Sequence, residues 1–443
     1  MLRRKIYYFL IPLLFLAVYL ILKYQLPGYS GQFIFLVILF LADLYLWTSV
    51  RKKIFSYHKW LKFTVSIIYW LPLLLILGLM GASLFRPVFD WNDQVRTVIV
   101  GFILIFYAAK ILPVVFLLLA DIVRVLDKIF VLFKKEEREK VVAKEGMSRS
   151  KFLQYLGFIS GGLVMGTMFT GMFKWVYEFK VYRLKVKLDK LPAGFEWMKV
   201  VQISDLHLGS WNHLKPLEQA VAMINDMQPD LILFTGDLVN YATKEAFRFE
   251  EVLAKLKADK GVYAVLGNHD YGDYVSWPDR QAKEKNMQDL FAFFDRVGWK
   301  LLRNENEVFE TDSGKLALIG VENWGANPRF PKHGDIEVAM KGTEHADVRL
   351  LMTHDPSHWD KIIVPKNYDI DLSLSGHTHG FQIGIETPGV KWSPAQWMYK
   401  HWAGLYRDES TGKYLYVNRG LGVIGYPGRI GILPEITLIE LTS

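Results

Sequence analysis

Five short apolar runs in the second half of the chain each end in residues that bind cations or move protons. Lys199–Ile203 leads into Ser204-Asp205-Leu206-His207, and Leu231–Phe234 into Thr235-Gly236-Asp237. Val262–Leu266 leads into Gly267-Asn268-His269-Asp270, Val348–Met352 into Thr353-His354-Asp355, and Leu372–Leu374 into Ser375-Gly376-His377-Thr378-His379. Singly, each has an ordinary explanation: Asp205 as a helix cap, Asn268-His269 as a turn, His354 as a hydrogen-bonded core histidine. Five in series call for a common one. Ten of the 11 histidines lie beyond residue 174, and five of those stand in these groups. The set mixes carboxylate, amide carbonyl and imidazole, and the chain has 0 cysteines. That chemistry suits Mn, Fe or Zn, and two ions better than one.

Two cations about 4 Å apart need a bridging anion, which Asp237 can supply. They also lower the pKa of a bridging water enough to give hydroxide near neutral pH, and such a hydroxide attacks phosphorus in line. An imidazole that is not a ligand must then protonate the departing oxygen. His269, between Asn268 and Asp270, is the candidate acid, with Asp270 expected to hold its tautomer.

Continuous apolar strands are buried on both faces. The helical stretches Leu217–Met227 and Phe247–Leu256 separate the first three strands, which predicts parallel crossovers. Open α/β sheets build their sites at the carboxyl ends of strands, where all five polar groups fall. A further strand is expected at Phe179–Leu188.

The first 174 residues are a different object. They hold 22 Lys+Arg against 9 Asp+Glu, a net of +13, while residues 175–443 hold 31 against 36, a net of −5. The overall +8 is therefore an average of unlike parts, and the acidic second part gives no support to a nucleic-acid partner. Apolar runs at Ile6–Leu22, Gln32–Val50, Phe63–Phe85, Thr97–Val123 and Phe152–Phe173 are each near or above the length that crosses a bilayer. Further spans follow the first, which argues against a cleaved signal peptide. Basic flanks alternate with lean ones: Arg3, Arg4 and Lys5, then Lys23 alone, then Arg51, Lys52, Lys53, Lys59 and Lys62. Arg86 and Arg96 are offset by Asp90 and Asp93, and residues 124–151 carry nine Lys+Arg. By the positive-inside rule this predicts about five spans, a cytoplasmic segment 124–151, and a domain 175–443 outside the membrane of a bacterial cell. Lys134–Lys144 is expected as a solvated helix, and Ser148–Leu153 has the look of a decayed twin-arginine signal. Asp43 and Lys110 fall inside spans, where charge is costly unless paired or snorkelled; the two readings are a pair across helices that marks a polar pathway, and snorkelling or simple structural pairing, of which the second is preferred. Pro72 and Pro113 are tolerable kinks.

The ordered series Asp205-x-His207, Gly236-Asp237, Gly267-Asn268-His269-Asp270, His354 and Gly376-His377-Thr378-His379 resembles the calcineurin-like metallophosphoesterase superfamily over roughly residues 195–443. Gly320–Gly325, Asn418–Gly422 and Tyr426–Arg429 resemble a bacterial, membrane-associated or exported branch of it. The resemblance implies a two-sheet αββα sandwich. It implies one metal on Asp205, His207, Asp237 and His379, a second on Asp237, Asn268, His354 and His377, and an acid at His269. Phe381 departs from the glycine many relatives carry and is expected to narrow or grease the site mouth.

Arg419 and Arg429 are either phosphate clamps or ties for the C-terminal loops. The aromatic, basic stretch Lys391–Tyr406 is either a lip facing the bilayer or a loop packed on the sheet. His213, His333, His345, His358 and His401 carry no motif. The leading reading is a membrane-anchored hydrolase of phosphomonoesters or phosphodiesters, with the lipid bilayer as partner and a lipid- or envelope-linked substrate. The alternatives are a non-enzymatic binding module on the same fold, and a transporter or sensor regulated by it. Oligomeric state is not encoded in any of these features.

Overall fold

The computed structural model describes residues 13, 16–24, 27–83, 85, 91–133 and 148–443. It divides into two compact units, Met1–Val88 with Phe102–Gly166, and Phe89–Gly101 with Thr167–Ser443.

Four long helices, α1 (Pro27–Phe55), α2 (Lys59–Ser83), α3 (Asp93–Phe133) and α4 (Arg149–Phe173), carry the apolar runs. A chain in hydrocarbon must satisfy its backbone internally, so runs of this length fold as helices. Among the described residues four helices are long and apolar enough to cross a membrane: Gly31–Phe55, Lys59–Ser83, Asp93–Phe130 and Arg149–Tyr177. They correspond to the second to fifth expected spans. Most of the first, Ile6–Leu22, lies outside the described residues, as do Arg3, Arg4, Lys5, Arg86, Asp90 and Lys134–Lys144.

Within the membrane unit, Asp43 and Lys110 are buried and form an ion pair of 2.7 Å between α1 and α3. The Tyr107 hydroxyl donates to the other Asp43 oxygen at 2.9 Å, and Lys110 Nζ donates to the Tyr69 carbonyl at 2.8 Å. Tyr69 closes the cluster by donating to the Asp43 carbonyl at 2.6 Å. Charge is answered by charge and both Asp43 carboxylate oxygens have a donor, which is what makes such a pair tolerable in lipid. Gly157 and Gly161 let α4 press on α3: a Cβ at Gly161 would lie 2.6 Å from the Ala109 carbonyl.

The second unit holds fourteen strands: β1 (Lys180–Lys187), β2 (Lys199–Ile203), β3 (Leu231–Phe234), β4 (Val262–Ala264), β5 (Trp299–Leu301), β6 (Glu305–Thr311) and β7 (Gly314–Gly320), followed by β8 (Val348–Met352), β9 (Leu372–Ser375), β10 (Ile385–Thr387), β11 (Val390–Trp392), β12 (Gly404–Arg407), β13 (Tyr414–Val417) and β14 (Glu435–Thr442). One six-stranded sheet has the order β1-β14-β2-β3-β4-β5 and the other β12-β13-β9-β8-β7-β6, with β10-β11 a separate hairpin. β2, β3, β4 and β5 run parallel, as do β7, β8, β9 and β13.

Val200, Leu231, Leu233 and Val265 of the first sheet meet Leu318, Leu350, Leu372 and Leu374 of the second in one buried core. The outer face of the first sheet is covered by helices Lys215–Asp226 and Arg280–Val297, and that of the second by Ile336–Ala339 and Trp359–Ile363. This is the expected αββα sandwich. The register Ile203↔Phe234 ends β2 and β3 level with one another, so Asp205 and Asp237 leave the sheet side by side.

Candidate metal centre

Every sequence-predicted ligand lies just past a strand end of one or other sheet. Asp205 and His207 follow β2, Asp237 follows β3, Asn268 follows β4, His354 follows β8, and His377 and His379 follow β9. The turns are sharp. Asp205, His207, Asp237, His377 and His379 all have left-handed backbones, with φ of 51°, 43°, 61°, 71° and 50°. Such a conformation costs a non-glycine residue roughly 1–3 kcal/mol and persists only where surrounding structure enforces it. Two glycines provide the room. A Cβ at Gly267 would lie 2.2 Å from Asp237 Oδ1, and one at Gly376 would lie 2.3 Å from Asp205 Oδ2.

Two groups able to hold a cation result: Asp205, His207 and His379, and Asp237, His354 and His377. In the first, His207 Nε2 and His379 Nε2 face each other at 3.0 Å, and His379 Nε2 is 3.1 Å from Asp205 Oδ1. In the second, His354 Nε2 is 3.1 Å from Asp237 Oδ2 and 3.2 Å from His377 Nδ1. Asp237 Oδ2 is also 3.5 Å from His207 Nε2, so this one oxygen serves both groups.

The donor set fits divalent cations. His354 Nδ1 meets the Thr235 carbonyl at 2.8 Å, so that nitrogen carries the proton and Nε2 offers its lone pair. Asn268 Nδ2 donates to the Tyr274 hydroxyl at 2.8 Å, while its Oδ1 is buried with no hydrogen-bond partner among the described residues. His207 Nδ1 and His379 Nδ1 are likewise buried and unpartnered. The field also favours positive charge: burial works against protonating His354, yet the Asp237 and Asp205 carboxylates raise it to about 10.

His269 belongs to neither group. It is partly exposed, its ring stacks on Tyr274 at 4.2 Å and meets His207 edge-on at 5.0 Å. Its Nδ1 is fixed by the Asn240 carbonyl at 2.8 Å, leaving Nε2 for proton transfer. Asp270 does not hold this tautomer, contrary to the sequence expectation. Its Oδ2 accepts from the Asp237 and Gly267 amides at 2.9 and 2.8 Å, and its Oδ1 from the Leu238 and Val239 amides at 2.8 and 3.3 Å. Chain leaving a strand end strands its N–H groups, and a buried carboxylate collects them. Asp270 therefore shapes the β3 and β4 loops and acts on His269 only indirectly.

Asn240 is held in turn. Glu245 Oε2 accepts its amide at 2.6 Å, and Glu245 Oε1 lies 3.8 Å from Arg96 Nη2, itself 2.8 Å from Asp93. Burial pushes the Glu245 carboxyl up to about 7.

The sequence reading missed several residues. Tyr274 and Asn240 stand outside the motifs, and Tyr399, whose hydroxyl is 2.9 Å from His377 Nε2, was read only as part of an aromatic stretch. Asp355 Oδ2 approaches the same nitrogen at 3.5 Å, and Phe330 meets the His377 ring edge-on at 4.7 Å. None of these spacings carries a signal in one dimension. Arg419 and Arg429 prove to be loop ties. Arg419 pairs with Glu435 at 2.5 Å and with Glu386, and Arg429 donates to the Gly420 and Gly422 carbonyls at 2.9 and 2.6 Å. His358 is buried against Thr353 Oγ1 at 3.0 Å, His401 sits 3.0 Å from Asp360, and His333 lies against Tyr271.

Residues 198–381 match the family model for the calcineurin-like phosphoesterases, and residues 29–175 match that for a probable calcineurin-like phosphoesterase transmembrane domain. A metallophosphoesterase of Bacillus subtilis, YkuE, is 29% identical over 306 residues, covering 67% of this chain and 98% of the relative. A second from the same organism, YkoQ, is 31% identical over 257 residues, covering 57% and 86%. A transmembrane protein with a metallophosphoesterase domain from Danio rerio is 32% identical over 268 residues, covering 59% of this chain and 57% of that one. A complete ligand series on a two-sheet sandwich, carried by a chain whose described residues include four membrane-capable helices, makes this protein a multi-pass membrane member of the calcineurin-like metallophosphoesterase family, a phosphoester hydrolase.

Proposed function

We propose that this protein hydrolyses phosphomonoesters or phosphodiesters at a two-cation centre on the outer face of a bacterial inner membrane. The observation that carries the reading is Asp237 Oδ2, placed between His207 and His354 so that one carboxylate oxygen serves two imidazole groups. Asp205, His207, Asp237 and His379 would hold one cation; Asp237, Asn268, His354 and His377 would hold the other. Mn, Fe and Zn all suit this donor set. When bound, such a pair supplies an activated water and neutralises charge on the phosphoryl oxygens.

The chain's own residues do the rest. His269 Nε2, with Nδ1 fixed on Asn240, is poised to give a proton to the departing oxygen. Tyr274 steers both partners, stacking on His269 and taking the Asn268 amide so that Oδ1 turns inward. The outward placement of the domain is supported by the basic flanks Arg51–Lys62 and 124–151, which face the opposite side from the end of α4 if each helix spans.

The test is hydrolysis of p-nitrophenyl phosphate and bis(p-nitrophenyl) phosphate by the full chain in detergent, stripped by chelator and then reloaded with Mn, Fe or Zn. Activity lost on stripping and regained with about two ions per chain is expected. A protein that binds two ions and cleaves neither ester would overturn the reading.

A further inference from the structure

One surface beside the metal centre is apolar and uncovered. After His379 a tight turn through Gly380, Phe381 and Gln382, with left-handed φ of 53°, 50° and 61°, leads toward β10, and it leaves Phe381, Ile383 and Ile385 exposed while Gln382 and Gly384 are buried. Across the hairpin Ile385 pairs with Trp392, whose ring meets Trp397 edge-on at 6.1 Å. Trp397 and Met398 are 74% and 61% exposed, and a contiguous exposed apolar patch marks an interaction surface. Lys400, exposed, follows two residues after Met398.

This surface is tied to two other features. One is the site: Phe381 is two residues past His379, and Tyr399, next to Met398, places its hydroxyl 2.9 Å from His377 Nε2. The other is the end of α4, whose residues from Thr167 onward belong to this unit. The Tyr426 hydroxyl donates to the Met168 carbonyl and the Arg429 amide to the Gly171 carbonyl at 3.3 Å. Ile430, next in sequence, exchanges backbone hydrogen bonds with Gln382 and Gly384 at 2.7 and 2.8 Å. The apolar strand is thus two hydrogen-bonded steps from the last turns of a helix apolar enough to span the membrane. Tryptophan, isoleucine and a flanking lysine beside such an exit are the composition of a surface seated at the lipid–water boundary.

We propose that the face bearing Phe381, Ile383, Ile385, Trp392, Trp397 and Met398 rests in the bilayer interface, and that the site it borders takes a phosphate ester whose hydrocarbon chains stay in the membrane. The proposal rests on the hydrolase reading and narrows its substrate class. An ester free in water has no use for an apolar wall at the site mouth; a lipid reaching up from the bilayer needs one, because its chains stay out of water while its headgroup meets the cations.

The chain has 0 cysteines, so a nitroxide can be placed uniquely at Trp397→Cys, at Met398→Cys, or at the exposed Glu344→Cys as a water-side control. In full-length protein in phosphatidylcholine/phosphatidylglycerol nanodiscs, the first two labels should be reached by oxygen and shielded from a water-soluble nickel chelate, unlike the third. In parallel, Trp397→Ser with Met398→Ser should lower turnover of phosphatidic acid or phosphatidylglycerol about tenfold or more, with less than about twofold change on the two p-nitrophenyl esters. Labels at 397 and 398 as open to the chelate as that at 344 would overturn the proposal. Spin–spin broadening between them would overturn it too, by showing a second copy on this face. Equal loss on lipid and soluble esters would do the same. Failure to cleave any ester sinks the hydrolase reading instead, and the label depths still decide the placement of the face.

Discussion

Both units of this protein bury charge, and they do so in opposite ways. In the membrane unit, Asp43 meets Lys110, and Tyr69 and Tyr107 add three hydrogen bonds to the pair. In the second unit, imidazole nitrogens face one another at 3.0 and 3.2 Å, a single oxygen of Asp237 is shared between histidines, and Asn268 Oδ1 is buried without a partner among the described residues. A closed cluster of opposite charges is structure: it satisfies itself and leaves nothing to bind. A cluster of acceptors turned on one another is complete only with cations between them. Burial alone does not separate the two cases; the sign and satisfaction of the groups do.

Substitutions test that contrast. Asp237→Asn carries the largest expected effect: activity falls on the order of 10³-fold and bound metal drops below two ions per chain, measured by turnover and elemental analysis. Asp43→Asn should leave turnover per folded molecule unchanged but destabilise the protein by about 3 kcal/mol, because Lys110 is left buried and unpaired. Thermal unfolding in detergent reads this, and adding Lys110→Met should recover much of the loss. If Asp43→Asn instead abolishes activity at full stability, the membrane cluster has a working role and the contrast breaks down.

His269→Ala should slow alkyl phosphate esters about 10²-fold and p-nitrophenyl esters much less, since only a poor leaving group needs its proton. Equal slowing of both would remove His269 from the acid role. Smallest is Glu245→Gln, with about 1 kcal/mol or less on stability at neutral pH. The Glu245 carboxyl is pushed from an ordinary 4.5 up to about 7, so the folded protein holds its proton more tightly than the unfolded chain does. Its contribution is fully present below about pH 4.5 and is lost as pH rises through about 7. Unfolding of Glu245→Gln should lack that component, whereas an unchanged pH profile would deny the shift.

Much of this was legible in one dimension, for identifiable reasons. The strands at β2, β3, β4, β8 and β9 showed as continuous apolar runs because both their faces are buried, and each ended in its ligand. Strands β6 and β12 were not read: their residues alternate between exposed and half-buried, as edge strands do, and such runs resemble loops. β14 was missed although it is almost wholly buried, because it joins β1 and β2 from the far end of the chain. The aromatic stretch Lys391–Tyr406 divides into a packed part and an exposed part. Trp402 is buried with Ala395 and Ile432, while Trp392 and Trp397 point outward.

Residue type and spacing were sufficient for the membrane runs, the ligand series and the chemistry they suit, because hydrophobic length and donor identity are local properties. They could not assign Asp270. Adjacency to His269 suggested a contact, but the turn after β4 sends the two side chains to different partners, the Asn240 carbonyl for one and four loop amides for the other. Nor could they find Tyr274, Tyr399 and Asn240 around the ligands, or bring an apolar hairpin to the mouth of the site. Those depend on where loops from two sheets meet, and that is settled by packing between residues distant in sequence.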